Sequence, residues 1–402
     1  MQLVHLSLTN FRNFIRLETD FPPGTTLLVG ANAQGKTSLL EAVYFLAGAT
    51  SPHASSDRQL INFLALNQPG PFARIVAEVR RGQRLQRVEI RLVLEPTGPA
   101  GDQRLHKEVL INGVKRRVAD LAGGVNAVIF LPQDMRVIEG APADRRRHFD
   151  AALSQADPTY AETLNEYSKV VSQRNALLKQ LQDQNGDADQ LEFWDEQLAD
   201  LGSRLIRARS LALNELERLA APIHLELTRG AESLRLEYFP AFDPVPRPEG
   251  QFGLPLDAPL DRTGISRQAI QQGMLEALHS ARQEEMARGV TLLGPHRDDC
   301  RFSANGIDLR YYGSRGQNRT AMLSAKLAEV EWLQQRTGEW PILLLDEVLA
   351  ELDAQRRQDL LDRVQRAQQA FLTAADLAMF TEGFRRQATT WRIISGTLQP
   401  LA

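Results

Sequence analysis

Gly30-Ala31-Asn32-Ala33-Gln34-Gly35-Lys36-Thr37 fits G-x-x-x-x-G-K-[ST], and its flanks are the ones that pattern needs. Before it, Thr25-Thr26-Leu27-Leu28-Val29 is short, apolar and β-prone. After it, Ser38-Leu39-Leu40-Glu41-Ala42-Val43-Tyr44-Phe45-Leu46 repeats its apolar residues at helical spacing. Strand, glycine-rich loop and helix in this order make a phosphate-binding loop. Backbone N–H groups and a helix N-terminus converge there on phosphate oxygens, with Lys36 reaching the β- and γ-phosphates of ATP and the Thr37 hydroxyl facing Mg²⁺. Gly30 through Ser38 are therefore the expected ATP-binding residues.

The rest of the composition sets bounds. A chain of 402 residues, 43% of them hydrophobic, suffices for two or three domains or for one domain with a large insertion. The net charge of −3 announces neither nucleic acid nor an anionic membrane, so any basic patch must be local. One cysteine, Cys300, excludes an intrachain disulfide and a multi-cysteine zinc site and fits a reducing, cytoplasmic compartment. No apolar run approaches the roughly 18 residues of a membrane span, and the chain opens directly on an alternating strand, so neither a membrane segment nor a signal peptide is expected.

Val4, Leu6 and Leu8 alternate with polar residues, as do Ile15, Leu17, Thr19 and Phe21 across the corner Asn10-Phe11-Arg12-Asn13. Two strands are predicted. Arg12 in that corner is placed to fold back onto a nucleotide, and is equally a solvated turn residue. Strands follow at residues 73–79 and 88–94 and in a hairpin through Asn112-Gly113, making an antiparallel β wing. Its Arg80, Arg81, Arg84, Arg87, Arg91, Lys115, Arg116 and Arg117 form either a DNA-facing patch or a solvated face balanced by Glu78, Glu89 and Glu108. Val125 to Leu131 reads as a buried strand. Gln133 just beyond it is a candidate for metal and attacking water, or part of a plain turn.

From Tyr160 the period changes to seven. Tyr160, Leu164, Tyr167, Val171, Leu178 and Leu181 form one seam that Arg174 interrupts, and Leu191, Trp194, Leu198, Leu201, Leu205, Ala208 and Ala212 form a second. The polar turn Asp183 to Asp189 joins them into an antiparallel helical hairpin, about 40 Å long at 1.5 Å per residue, which Pro222 is expected to close. A strand at 234–239, a Pro/Gly-rich connector from Pro240 to Gly264 and a helix ending near Gly289 complete this region. The expected division is 1–150, 151–285 and 286–402.

The last part returns to phosphate chemistry. Gly294-Pro295-His296-Arg297-Asp298-Asp299 reads as a structural turn rather than a metal site. Ser314-Arg315-Gly316-Gln317 opens an apolar helix, a second anion-binding helix start. Pro341 to Leu345 is a buried strand that delivers Asp346 and Glu347 at its carboxyl end, where one carboxylate holds Mg²⁺ and the other activates water. Ala350-Glu351-Leu352-Asp353 follows at once.

Together the Asn10-to-Asn13 corner, the phosphate loop, Gly294 to Asp299, Ser314-x-Gly316-Gln317 and Leu343 to Asp353 resemble the RecF family over nearly the whole chain. The resemblance implies an α/β fold: an ABC/SMC-like P-loop ATPase head, with a mixed sheet and antiparallel β wing, plus a helical lobe with a short coiled-coil arm. It implies a weak, DNA-dependent ATPase of recombinational repair and replication that acts at single-stranded and gapped DNA with RecO and RecR. Residue by residue it implies Lys36 and Thr37 at phosphate and Mg²⁺, Asp346 at Mg²⁺ and Glu347 as the base. Ser314, Gly316 and Gln317 become a signature acting in trans within an ATP-dependent homodimer, and Asp353 lies in the D-loop. ABC transporters place a switch histidine after the strand that follows the D-loop; here that stretch is Phe371-Leu372-Thr373-Ala374-Ala375-Asp376.

Other ATPase classes fit less well. A transporter subunit would bring its P-loop and signature closer together than Gly30 and Ser314, and an SMC-like cohesion protein would need a longer arm. A UvrA-like repair protein would need zinc cysteines.

Overall fold

The computed structural model describes residues 1–97, 103–184, 186–245 and 261–401, so Asn185 of the expected helix-to-helix turn and most of the Pro240-to-Gly264 connector lie outside the described residues. Two units emerge, Met1–Gln133 with Leu333–Ala402, and Asp134–Trp332. The cuts differ from the expected 150 and 285 because the stretch after Gln133 and the Gly294-to-Asp299 turn are tied into the helical unit by ion pairs described below.

The first unit starts with β1 (Gln2–Phe11), β2 (Phe14–Asp20), β3 (Gly24–Val29) and α1 (Lys36–Gly48). It continues through β4 (Phe72–Arg81), β5 (Arg84–Pro96), β6 (Gln103–Ile111), β7 (Val114–Arg116) and β8 (Ala127–Phe130). The wing is one antiparallel sheet in the order β2-β1-β4-β5-β6-β7. Asn112 and Gly113, at φ 52° and 81°, make the left-handed turn that matches strand twist. Its inner face, with Leu6, Leu8, Ile75, Ala77, Ile90 and Val109, joins Leu39, Val43 and Leu46 of α1 in one buried core. Ile15 is an exception to the expected pattern: beside the corner, it is exposed although Leu17, two residues on, is buried.

Several of the wing's basic groups are paired with carboxylates. Arg74 forks onto Glu89 at 2.7 and 3.0 Å, Arg91 reaches the same carboxylate at 2.6 Å, and Lys115 holds Glu108 at 2.7 Å. These contacts keep both carboxyls below their ordinary range, Arg74 being the main cause for Glu89 and Lys115 for Glu108. These pairs balance part of the wing's charge, as on a solvated face.

The second unit runs α2 (Arg136–Glu139), α3 (Pro142–Ala156), α4 (Pro158–Gln184), α5 (Glu192–Leu227), β9 (Leu234–Phe239) and α6 (Arg267–Arg288). It goes on through β10 (Asp299–Ala304), β11 (Ile307–Asp308), α7 (Leu309–Tyr312) and α8 (Arg315–Thr337), whose last residues, from Leu333, count with the first unit. The hairpin is antiparallel, with Leu178 and Leu181 against Leu191 at the turn, Arg174 on Asp195 further down, and Tyr160 on Arg209 near the base. A third helix joins it. α6 lies along α5, so that a Cβ on Gly202 would come 2.7 Å from the Met274 sulfur. Arg174, the break in the apolar seam, is fully buried between Asp195 and Glu285 at 2.7 and 2.6 Å and donates to the Thr291 hydroxyl at 2.9 Å. Removing one partner from such a buried group costs about 3–5 kcal/mol.

Pro222 does not end α5, which runs on to Leu227. Burial of Ile223, His224 and Leu227 offsets the roughly 3 kcal/mol that an interior proline costs. The Gly294-to-Asp299 turn is a structural hub, as expected. Asp298 accepts from Arg209 Nη1 and the Ala241 N–H, both at 2.8 Å, and from the Tyr238 hydroxyl. Asp299 takes the Arg145 fork at 2.6 and 3.0 Å, and His296 Nδ1 lies 2.8 Å from the Tyr167 hydroxyl.

The chain then completes the first unit with β12 (Ile342–Asp346), α9 (Ala354–Val364), β13 (Gln369–Ala374), α10 (Glu382–Gln387), β14 (Thr389–Ile394) and β15 (Thr397–Leu401). Its second sheet is ordered β15-β14-β3-β13-β12-β8, with β14, β3, β13, β12 and β8 parallel and β15 antiparallel. α1 packs against both sheets. Buried Gln369 ties them together, its amide accepting from the Leu3 N–H at 2.6 Å and donating to the Leu3 carbonyl at 2.9 Å.

Candidate functional site

Parallel strands end on the same edge, and this is what assembles the site. The loop after β3, the acidic end of β12 and the turn after β8 all leave the sheet at its carboxyl edge, with β13 between β3 and β12. Gly35 sits at φ 116°, where a Cβ would come 2.4 Å from Asn13 Nδ2, and a Cβ on Gly30 would come 2.5 Å from the Ile393 carbonyl oxygen. Only glycine fits at either place. The loop is pinned from outside: Asn13 Nδ2 donates to the Gln34 carbonyl at 3.0 Å, and the Gly396 and Ser395 N–H groups donate to Gln34 at 3.1 and 2.6 Å. Ala31, Asn32 and Ala33 at its crown are exposed, and Ser38 follows Thr37 in the first turn of α1.

Five residues interlock beneath the loop. The Thr37 hydroxyl donates to Asp346 Oδ2 at 2.7 Å, while Asp346 Oδ1 accepts from the Thr373 hydroxyl at 2.8 Å. Thr373 in turn accepts the Glu347 N–H at 2.9 Å. Lys36, buried, donates to the Gly30 and Ala31 carbonyls at 2.7 and 3.1 Å and pairs with Glu347 Oε1 at 3.0 Å. Glu347 adopts φ 54°, a left-handed conformation unusual for a side chain of this kind and of the sort that concentrates at functional sites. The hard oxygens of Thr37 and Asp346 suit Mg²⁺, which takes one or two protein oxygens and completes its shell with phosphate and water. Among the described residues no three His, Cys, Asp or Glu residues cluster as an all-protein metal cage.

The remaining expected residues lie as follows. Gln133 stands in a short turn after β8 with its amide 2.8 Å from His53 Nδ1, so the metal-side role expected for it is not among the contacts the structure brings together. Arg12 forks onto buried Glu41 of α1, 2.7 Å to each oxygen, and donates to the Gln59 carbonyl at 3.1 Å; it braces the loop helix rather than lying in the open. Asp353 caps α9, accepting the Arg356 N–H at 2.9 Å, and that N–H is the chief reason its carboxyl titrates low.

In the second unit Ser314 and Gln317 form a reciprocal cap on α8. The Gln317 N–H donates to the Ser314 hydroxyl at 3.2 Å, and the Gln317 side chain accepts the Ser314 N–H at 3.0 Å. Gly316 is exposed, and a Cβ there would touch nothing closer than the Ser314 hydroxyl at 3.9 Å. Its lack of a side chain serves no internal packing, and it leaves the helix start open to approach.

Sequence reasoning missed Thr373 as the link between the two carboxylate residues, His53 as the partner of Gln133, and Glu41 as the anchor of Arg12. Each pair is distant in sequence, and none carries a spacing signal.

A phosphate loop and an acidic strand end, one strand apart in a parallel sheet and with a hydroxyl already on the carboxylate, define a P-loop ATPase head. The family described as RecF/RecN/SMC N terminal domain matches residues 2–393. The DNA replication and repair protein RecF of Roseiflexus castenholzii is 41% identical, with 100% of both chains covered, and that of Chloroflexus aggregans is 41% identical over 99% of each. The solved recombination mediator protein RecF-ATPrS of the RecFOR pathway superposes with a TM-score of 0.83 at 30% identity, covering 100% of this chain and 98% of its own. A RecF-ATP structure matches with the same score and identity. The chain belongs to the RecF family, and its fold is the ABC/SMC-like head with a helical lobe. Among the described residues no helix is long and apolar enough to cross a membrane.

Proposed function

We propose that this chain is an ATP-dependent DNA-binding protein of recombinational repair and replication maintenance. It binds single-stranded or gapped DNA as an ATP-induced homodimer, uses slow ATP hydrolysis as the release switch, and acts with RecO and RecR. The observation that carries this reading is the interlock of Lys36, Thr37, Asp346, Glu347 and Thr373 beneath the phosphate loop. Lys36 grips the β- and γ-phosphates; to do so it leaves Glu347, and the freed carboxylate becomes available to take a proton from water. Thr37 and Asp346 hold Mg²⁺, which when bound neutralises charge on the phosphate oxygens. The backbone N–H groups from Ala31 to Ser38 cradle the phosphates. Arg12, Gln133 and Asp353 border the nucleotide, and Ser314, Gly316 and Gln317 approach it from a second copy. The full-length likeness to RecF proteins, one of them an ATP complex, supports both the nucleotide and the repair role.

Titrating a labelled gapped duplex with and without ATP, at low and at physiological salt, tests the reading. Binding is expected to tighten with ATP and to fall steeply with salt, because neutralised phosphates release counterions. Equal affinity in all four conditions would contradict it.

A further inference from the structure

Exposed apolar side chains scattered singly need no explanation, so their grouping is what matters. Among the described residues the five most exposed large apolar side chains are Tyr312 at 78%, Phe63 at 75%, Tyr311 at 67%, and Ile15 and Leu64 at 60% each. They fall in two places, and each place adjoins a phosphate-binding element. Tyr311 and Tyr312 end α7, three and two residues before Ser314. Arg310 lies with its guanidinium 5.2 Å from the Tyr311 ring centroid, and Arg315 begins α8.

The other three border the phosphate loop. Asn62, next to Phe63, takes its N–H to the Asn10 carbonyl at 2.7 Å and its side-chain amide to the Arg12 carbonyl at 2.6 Å. The same corner carries Asn13, which holds the Gln34 carbonyl at 3.0 Å, and Ile15 comes two residues later. So an apolar rim flanks the loop on the first unit, and an exposed aromatic pair flanks the helix start on the second.

We infer that Tyr311 and Tyr312 of one copy are the aromatic anchors that seat on Ile15, Phe63 and Leu64 beside the ATP of a second copy. This rests on the ATP-bridged dimer proposed above and names the surface that seals it. A two-fold dimer makes this contact twice, because what one copy offers the other receives. Tyrosine suits such an anchor, being large, rigid and amphipathic, and truncating one hot-spot residue typically weakens association about thirtyfold or more.

The test uses the full chain with ATP and magnesium and reads dimerisation by sedimentation, with ATP affinity measured separately on dilute monomer. Tyr311→Ala/Tyr312→Ala and Phe63→Ser/Leu64→Ser are each expected to leave monomer ATP affinity within about twofold and to weaken dimerisation at least about thirtyfold. Tyr312→Glu and Phe63→Lys should each impair association alone yet associate when mixed, since that heterodimer has one native contact and one Glu–Lys contact. Unchanged dimerisation in both double variants, with Ser314→Arg still blocking it, would overturn the anchors and leave the dimer standing. Dimerisation of Ser314→Arg would instead overturn the dimer reading and the anchors with it. Loss of single-stranded DNA binding with dimerisation intact would assign the tyrosines to nucleic acid, and loss of monomer ATP affinity would assign them to their own chain's loop; either overturns the inference.

Discussion

Thr373→Val removes one hydroxyl from the centre of the site and keeps the shape of the side chain. In the structure that hydroxyl donates to Asp346 Oδ1 at 2.8 Å and accepts the Glu347 N–H at 2.9 Å. The variant therefore loses a hydrogen bond to a carboxylate, worth about 1.5–3 kcal/mol, and strands a backbone donor, at about 1–3 kcal/mol. The two losses share one atom and are not additive, so about 3 kcal/mol is expected in urea unfolding of the free protein. Chemistry should suffer as well. Asp346 is then held only through Thr37, and the left-handed turn at Glu347 loses its brace, so turnover should fall by about tenfold to a hundredfold from misplacement alone. ATP affinity should change little, because neither Lys36 nor the loop backbone is touched. Thr373→Ser keeps the hydroxyl and should recover most of the turnover. A Val variant with the parent's unfolding midpoint and turnover would refute the role given to Thr373.

Lys36→Ala should abolish ATP binding in an equilibrium titration with an unchanged circular dichroism spectrum, since Lys36 faces the loop rather than the core; unchanged affinity would sink the phosphate-loop assignment. The second unit should lose stability in mild acid. Burial pushes His296 down from 6.5 to about 4, so the unfolded chain takes up its proton first as pH falls. Its contribution is complete above about pH 6.5 and is lost between there and about pH 4, on the order of 3 kcal/mol in unfolding free energy. His148, buried beside Lys326, is shifted in the same direction. Unfolding curves of His296→Gln across that range should show a flatter pH dependence than the parent, and an identical slope would count against a neutral buried His296.

What the sequence made legible follows from range. The phosphate loop, the Asp346-Glu347 strand end, the Asn112-Gly113 turn and the cap at Ser314 are each fixed by neighbours within a few residues, and each forms the predicted local element. The hairpin seam was legible for the same reason, because heptad spacing is local. Arg174 was visible only as a flaw in that seam; its partners Asp195 and Glu285 lie on two other helices, and no spacing announces them. Nor could the wing charges be resolved from composition, since Glu89 gathers Arg74 from the neighbouring strand as well as Arg91 two residues along its own. At Pro222 the local rule lost to tertiary burial. Arg12 was placed correctly at the corner, but a guanidinium reaches far enough that only the fold decides between Glu41 and open solvent.

The central claim is that the Ser314 helix start of one copy completes the site at Lys36, Asp346 and Glu347 of another. Ser314→Arg alone should bind ATP but neither dimerise nor hydrolyse it, whereas Glu347→Gln alone should bind ATP and stay dimeric without turnover. A heterodimer of the two has one site with both lesions and one with neither. ATPase activity measured on the equimolar mixture, with sedimentation to show that heterodimers form, tests the claim most directly. Turnover should return in the mixture although each variant alone is inactive, and an inactive mixture that demonstrably contains heterodimers would contradict it.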